Sequence, residues 1–186
     1  MSDQQTICSG CQLCHDGYTG AGVMITTNSK KLDNTIDVIL VIDHTGLYND
    51  FGGSSFDQTT QHTSKPIETA LKELYEESRT LFKLTEDDLK QAEQISIVHG
   101  GKHKYLCYIV NIPIVSCNEF YKLESVVATM SKCFRETSRM TRFPMNAIKM
   151  LYDKQKEIPN MLLTNSNDLV KIHPRVNAIL YNLFQK

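Results

Sequence analysis

The alternation of apolar and polar positions divides the chain into short strands and amphipathic helices. "AGVMITTN" (21–28) predicts a strand that opens the core. "IDVILVID" (36–43) is almost unbroken in apolar, mostly β-branched residues, as a strand covered on both faces would be. "LYNDFGG" predicts a short strand ending in the pair Gly52-Gly53, followed by a long polar loop, "SSFDQTTQHTS". A helix follows, with Ser64 expected as N-cap and Pro66 in the first turn, where a missing N–H costs nothing. At about 100° per residue, Ile67, Ala70, Leu71, Leu74, Tyr75, Leu81 and Phe82 share one broad face. Glu73, Glu76 and Glu77 occupy the opposite arc, bordered by Lys65, Lys72 and Arg79. Farther on, "TEDDLKQAE" (85–93) predicts a short helix capped by Thr85, and 95–114 a hairpin turning near Gly100-Gly101. Residues 118–134 have helical spacing, "RMTRFP" predicts a short strand, and "MNAIKMLYDKQ" and "HPRVNAILYNLF" predict helices. Strands mixed with helices, joined by hairpins and by longer crossovers, imply a layered α/β fold.

Length and charge narrow the function classes. The 186 residues suit one domain over 19–186, preceded by a polar, cysteine-rich arm over 1–18. A hydrophobic share of 41% and a charged share of 22% are those of a soluble globular chain. A formal net charge of -1 provides no overall field for nucleic acid or an anionic membrane. No apolar run is long enough to span a bilayer, so no membrane partner is expected. The first residues lack the pattern of a secretory signal, and Cys107, Cys117 and Cys133 are scattered, so reduced thiols in a cytoplasmic setting are expected. Cys8, Cys11, Cys14 and His15 match zinc in ligand type, but adjacent Cys14 and His15 are badly spaced for one ion. A flexible reduced arm is the competing reading.

The acidic helix carries the chemistry. Like charges at i,i+4, as at Glu73 and Glu77, oppose one another by about 0.2–0.5 kcal/mol in an isolated helix. A bound dication would turn that repulsion into attraction, and Mg²⁺ is commonly held by one or two carboxylates with water and phosphate oxygens. The alternative is a solvated acidic face paired with Lys72 and Arg79.

The surroundings of this helix resemble the signature of the Nudix hydrolases, G-x5-E-x7-R-E-U-x-E-E-x-G-U, with U a bulky aliphatic residue. "KELYEES" (72–78) overlays its R-E-U-x-E-E-x core, and "DFGG" resembles its opening. The flanking strands, and "RETSRMTRFPMNAIKML" beyond them, extend the resemblance over 19 to about 155. Three departures stand out. Nineteen positions separate Gly53 from Lys72 where the family has fourteen, the loop glutamate has no counterpart, and Lys72 and Arg79 stand at the box Arg and Gly. A longer loop costs little entropy, but lysine lacks the bidentate fork of arginine.

What the resemblance implies is an α/β/α sandwich with a mixed sheet and a pyrophosphohydrolase acting on a nucleoside diphosphate linked to another group. Mg²⁺ or Mn²⁺ would be the cofactor, held by Glu73, Glu76 and Glu77 with the Gly53 carbonyl. Glu76 or Glu136 would serve as general base, with Glu119 and Glu124 as alternatives. Lys72, Arg135 and Arg139 would bind substrate phosphates, in a basic cluster that includes Arg142, although a solvated strip explains the cluster equally simply. Tyr48, Phe51 and Phe143 are the stacking candidates. A small nucleotide derivative ranks first as substrate and capped RNA second, with a homodimer as the expected assembly. The competing function is a module of the same fold without catalysis, binding a nucleotide or a protein partner.

Overall fold

The computed structural model describes residues 17–28, 35–57, 62–99, 103–155, 157–158, 160–164 and 168–186. The cluster Cys8, Cys11, Cys14 and His15 lies outside them. Strand β1 (Tyr18–Asn28) is the hub of a seven-stranded sheet. One half of it pairs antiparallel with β2 (Ile36–Ile42), and the other half with β4 (Phe51–Ser54) beyond the two-residue β3 (Tyr48–Asn49). A small hairpin, β5 (Phe56–Asp57) with β6 (His62–Thr63), occupies the expected long loop. Helix α1 (Pro66–Glu77) and helix α2 (Glu86–Gln91) come next. The hairpin β7 (Glu93–His99) and β8 (His103–Asn111) then returns to the sheet, where β8 runs parallel to β1 along nearly its whole length. The order β3-β2-β1-β8-β7, with β9 (Arg139–Pro144) also on β2, gives the mixed sheet the sequence led us to expect.

Two cores follow from strand alternation. Ala21, Val23 and Ile25 of β1 point to the face covered by Ala70 and Leu74 of α1 and Leu89 of α2. Met24 points to the opposite face, which is covered by Ile148 of α5 (Met145–Gln155) and by Val176, Ile179 and Leu180 of α6 (Pro174–Phe184). β2 is buried on both sides, as its continuous apolar run demands. The result is a helix–sheet–helix sandwich. No helix among the described residues is long and apolar enough to cross a membrane.

Several local expectations are corrected. The α1 N-cap is Lys65, whose backbone N–H donates to Glu68 Oε2 at 3.3 Å, so the helix starts one residue after Ser64. Residues 118–134 do not form one helix. They break into α3 (Cys117–Lys122), α4 (Glu124–Val127) and a 3₁₀ turn, Lys132–Arg135, and at the first break the Phe120 carbonyl accepts a hydrogen bond from Arg79. Tyr75, placed on the core face by periodicity, is 43% exposed and packs edge-on against Phe134 instead. A short antiparallel pair, β10 (Met161–Leu163) and β11 (Leu169–Lys171), was not anticipated.

Candidate active site

Helix α1 lies across β1 and β4 and ends in a Schellman motif. The Thr80 N–H donates to the Tyr75 carbonyl at 2.8 Å, and the Arg79 N–H to the Glu76 carbonyl at 3.1 Å. Arg79 and Thr80 both take the left-handed backbone, with φ of 57° and 67°. The tight stop turns the Arg79 guanidinium inward, over the Phe120 ring, where it donates to the carbonyls of Phe120 and Thr137 and pairs with Glu124 at 2.7 Å. The Thr137 hydroxyl donates in turn to the Glu77 carbonyl at 2.7 Å. The last turn of the acidic helix is therefore fixed from both sides.

The acidic arc is not a solvated face. Glu77 is only 6% exposed and accepts the Gly52 N–H at 2.6 Å. Glu73 lies against Gly53 so closely that a Cβ there would sit 2.6 Å from its carboxyl carbon. The missing side chain of Gly53 is what admits Glu73, while Gly52 meets Glu77 through its backbone N–H. Both line an open cleft of about 640 Å³ with Lys72, Gly53 and Glu136. Glu76 is half-buried beside them, and its charge acts on Glu73.

Burial pushes the Glu73 carboxyl up to about 7, with Lys72 opposing and the charges of Glu76 and Glu136 adding to the rise. Burial also holds Glu77 well above the usual carboxylate range, helped by Glu73 and Asp50 and opposed by Arg175 and the Gly52 N–H. Two neighbouring carboxyl groups that resist ionisation call for positive charge.

A buried cation lies beside them. Arg175, at the start of α6, donates from Nε to Asp50 Oδ1 at 2.8 Å and from Nη2 to the Gly52 carbonyl at 3.0 Å. Its guanidinium lies over the Tyr105 ring, and the Tyr105 hydroxyl donates to the other Asp50 oxygen at 2.7 Å. Tyr105 reaches Asp50 across the paired glycines Gly22 and Gly52, where any Cβ would overlap its hydroxyl. Burial works against the Arg175 charge, but Asp50 and Tyr105 outweigh it and keep the group protonated.

The buried charges test the fit of a metal ion. Once ionised, Asp50, Glu73 and Glu77 would carry three negative charges against the single buried positive charge of Arg175. The deficit of two matches a divalent cation. Among the described residues no three His, Cys, Asp or Glu side chains form a ready-made cage. A hard dication does not need one, since one or two carboxylates suffice when backbone, water and phosphate oxygens complete the shell. Glu73, Glu77 and the Gly53 carbonyl fit that pattern.

Solved structures similar to this chain belong to Nudix proteins. An Ap4A hydrolase of C. elegans, in a binary complex, is 12% identical over 88% of this chain and 94% of its own, with a TM-score of 0.47. RenU, a Nudix hydrolase from M. smegmatis, is 11% identical over 91% and 85%, with a TM-score of 0.47. The Nudix domain of Shewanella oneidensis NrtR, solved with ADP ribose, is 17% identical over 72% and 76%, with a TM-score of 0.44. No protein-family model matches the sequence, and no curated protein does.

The remaining expected residues are dispersed. Arg139 opens instead onto a second cavity, beside Tyr48, Tyr121 and Asp168. Arg142 is drawn into the fold by Asp37 at 3.5 Å and by the Val115 carbonyl. Arg135 is exposed on the 3₁₀ turn and is not among the cleft-lining residues. Glu119 pairs with Lys122 and Glu124 with Arg79, each at 2.7 Å. Phe51 and Phe143 are fully buried and Tyr48 nearly so, which removes all three as stacking platforms.

The sequence reading missed Asp50, Tyr105, Arg175 and Phe56. Phe56, in β5, lines the cleft with its ring 52% exposed. An aspartate among the core residues Tyr48 and Phe51 was the one available signal, since a buried aspartate must have a partner.

Proposed function

We propose that this protein is a divalent-metal-dependent pyrophosphohydrolase acting on a nucleoside diphosphate linked to a second group. A small nucleotide derivative is the first-choice substrate and capped RNA the second. The observation that carries the reading is the pair Glu73 and Glu77. They lie one helical turn apart, crowded against Gly52-Gly53, in an open cleft where burial opposes their ionisation until a cation is bound.

Glu73 and Glu77 would hold Mg²⁺ or Mn²⁺ with the Gly53 carbonyl, and Glu76 would support them from the rim. The bound cation supplies charge neutralisation for the diphosphate and makes water acidic enough to act as nucleophile. The chain's own groups do the rest. Lys72, exposed on the cleft wall, draws in the phosphates. Glu136, which also lines the cleft, would accept a proton from the attacking water. Phe56 offers an apolar face to the nucleoside end. Catalysis is then mostly positioning and charge stabilisation. Arg135 and Arg139, outside this lining, are left for a distal part of a longer substrate.

The test is phosphate release from nucleoside diphosphate derivatives and capped RNA with Mg²⁺ or Mn²⁺, comparing the wild type with Glu77→Gln. Metal-dependent turnover that drops at least about a hundredfold in the variant is expected. No turnover on any substrate, with Mn²⁺ failing to raise the melting temperature, would overturn the proposal.

A further inference from the structure

The Arg175–Asp50 pair crosses the molecule, linking α6 to the strand edge beneath the cleft. Arg175 is only 14% exposed and Asp50 not at all. Besides its carboxylate partner, the guanidinium anchors a carbonyl, and that carbonyl belongs to Gly52, whose N–H is the donor to Glu77. Gly52 is thus held at both ends, by Arg175 on one side and by a site carboxylate on the other. The second role is electrostatic. Asp50 lies behind the cleft lining, close enough for its charge to act on Glu77. Paired with Arg175, it adds nothing to the charge that faces the cleft. Unpaired, it would be a third buried negative charge in the same small volume.

Resting on the reading above, we propose that Arg175 is the positioning residue of the carboxylate site. It pins Gly52 so that its N–H orients Glu77, and it cancels Asp50 so that two carboxylates, not three, govern the affinity for a cation. The two roles separate experimentally. Arg175→Gln keeps some hydrogen bonding but exposes the Asp50 charge. Asp50→Asn/Arg175→Gln removes charge from both partners and guards against loss of folding through an orphaned carboxylate. Arg175→Lys keeps the charge without the fork.

The probe is Mn²⁺ alone, its free concentration read by electron paramagnetic resonance, with turnover measured in parallel on whichever diphosphate the wild type cleaves. Arg175→Gln is expected to bind Mn²⁺ at least about threefold more tightly than the wild type, while kcat falls at least about tenfold. The double variant should return Mn²⁺ affinity to within about twofold of wild type without recovering kcat, because Gly52 is still unpinned. Arg175→Lys should keep the wild-type affinity and recover part of kcat. A merely structural arginine would weaken binding and turnover together. Arg175→Gln that binds Mn²⁺ no more tightly, or a double variant with wild-type kcat, overturns the assignment while leaving the hydrolase reading intact. Wild-type protein that binds Mn²⁺ but cleaves nothing overturns the hydrolase reading alone, and the affinity arms still decide the role of Arg175. Wild-type protein that binds no Mn²⁺ overturns both.

Discussion

Gly53 and Glu73 meet where a methyl group would have to go. A Cβ on Gly53 would lie 2.6 Å from the Glu73 carboxyl carbon and 2.7 Å from each of its oxygens. Gly53→Ala must therefore push Glu73 away from the strand edge. The expected result is a folded protein, destabilised by about 1–3 kcal/mol, with turnover reduced at least about tenfold. Thermal melts with and without Mn²⁺ check it: the stabilisation by Mn²⁺ should shrink more than the melting temperature itself.

The raised Glu73 carboxyl makes the metal-free protein sensitive to pH. Ionisation begins near 4.5 in the unfolded chain but only near 7 in the folded one. The folded state therefore holds the proton more tightly, and stability is lost as pH rises through about 7. The loss, spread between about 4.5 and 7, totals about 3.5 kcal/mol, since each unit is worth about 1.4 kcal/mol. Urea titrations in a chelator at pH 5 and pH 8 measure it. Glu73→Gln should reduce this dependence, with the raised Glu77 supplying what remains, and leave the metal-free protein more stable than wild type at pH 8. Equal slopes for the two proteins would contradict the account.

Arg79 and Thr80 share the left-handed backbone but should respond oppositely to glycine. Thr80 is β-branched in a conformation that suits glycine, so Thr80→Gly should stabilise by about 0.5–1 kcal/mol. Arg79→Gly relieves the same strain but removes the guanidinium from Phe120, Thr137 and Glu124, and should destabilise by about 2–4 kcal/mol. Denaturant unfolding of both variants reads the difference in sign.

Phe56 should discriminate among substrates rather than among rates. Its exposed ring lines the cleft that holds the carboxylates, and a base stacked on it would gain about 1–3 kcal/mol. Phe56→Ala is expected to raise KM about tenfold for nucleoside-bearing diphosphates and to leave a diphosphate with no aromatic group unchanged. Phe56→Tyr should retain wild-type behaviour. A uniform loss across both substrate types would show that the ring only supports its hairpin.

Local pattern made much of this legible. The β-branched run 36–43, the hairpin around residue 100 and the amphipathic spacing of α1, α5 and α6 all declare themselves within a few turns or strand residues. The parallel pairing of β1 with β8 does not, because it joins positions such as Val23 and Tyr108 and carries no local mark. The site divides along the same line. Glu73 and Glu77 stand out by spacing, yet the wheel placed Glu77 outside, because nothing in the helix shows that the Gly52 N–H will meet a carboxylate there. Asp50 and Arg175 are 125 positions apart, and an ion pair at that separation is set by the packing of α6, not by any motif.

That separation bears on how the protein is made. Strands β1 to β4 and helix α1 all leave the ribosome before Arg175 exists. A partial chain folding early would have to bury Asp50 with no counter-ion, which favours leaving that corner open to water until α6 arrives. Synthesis thus delivers the acidic helix first and the arginine that tames it last, so the nascent protein passes through a stage in which the scaffold precedes the function.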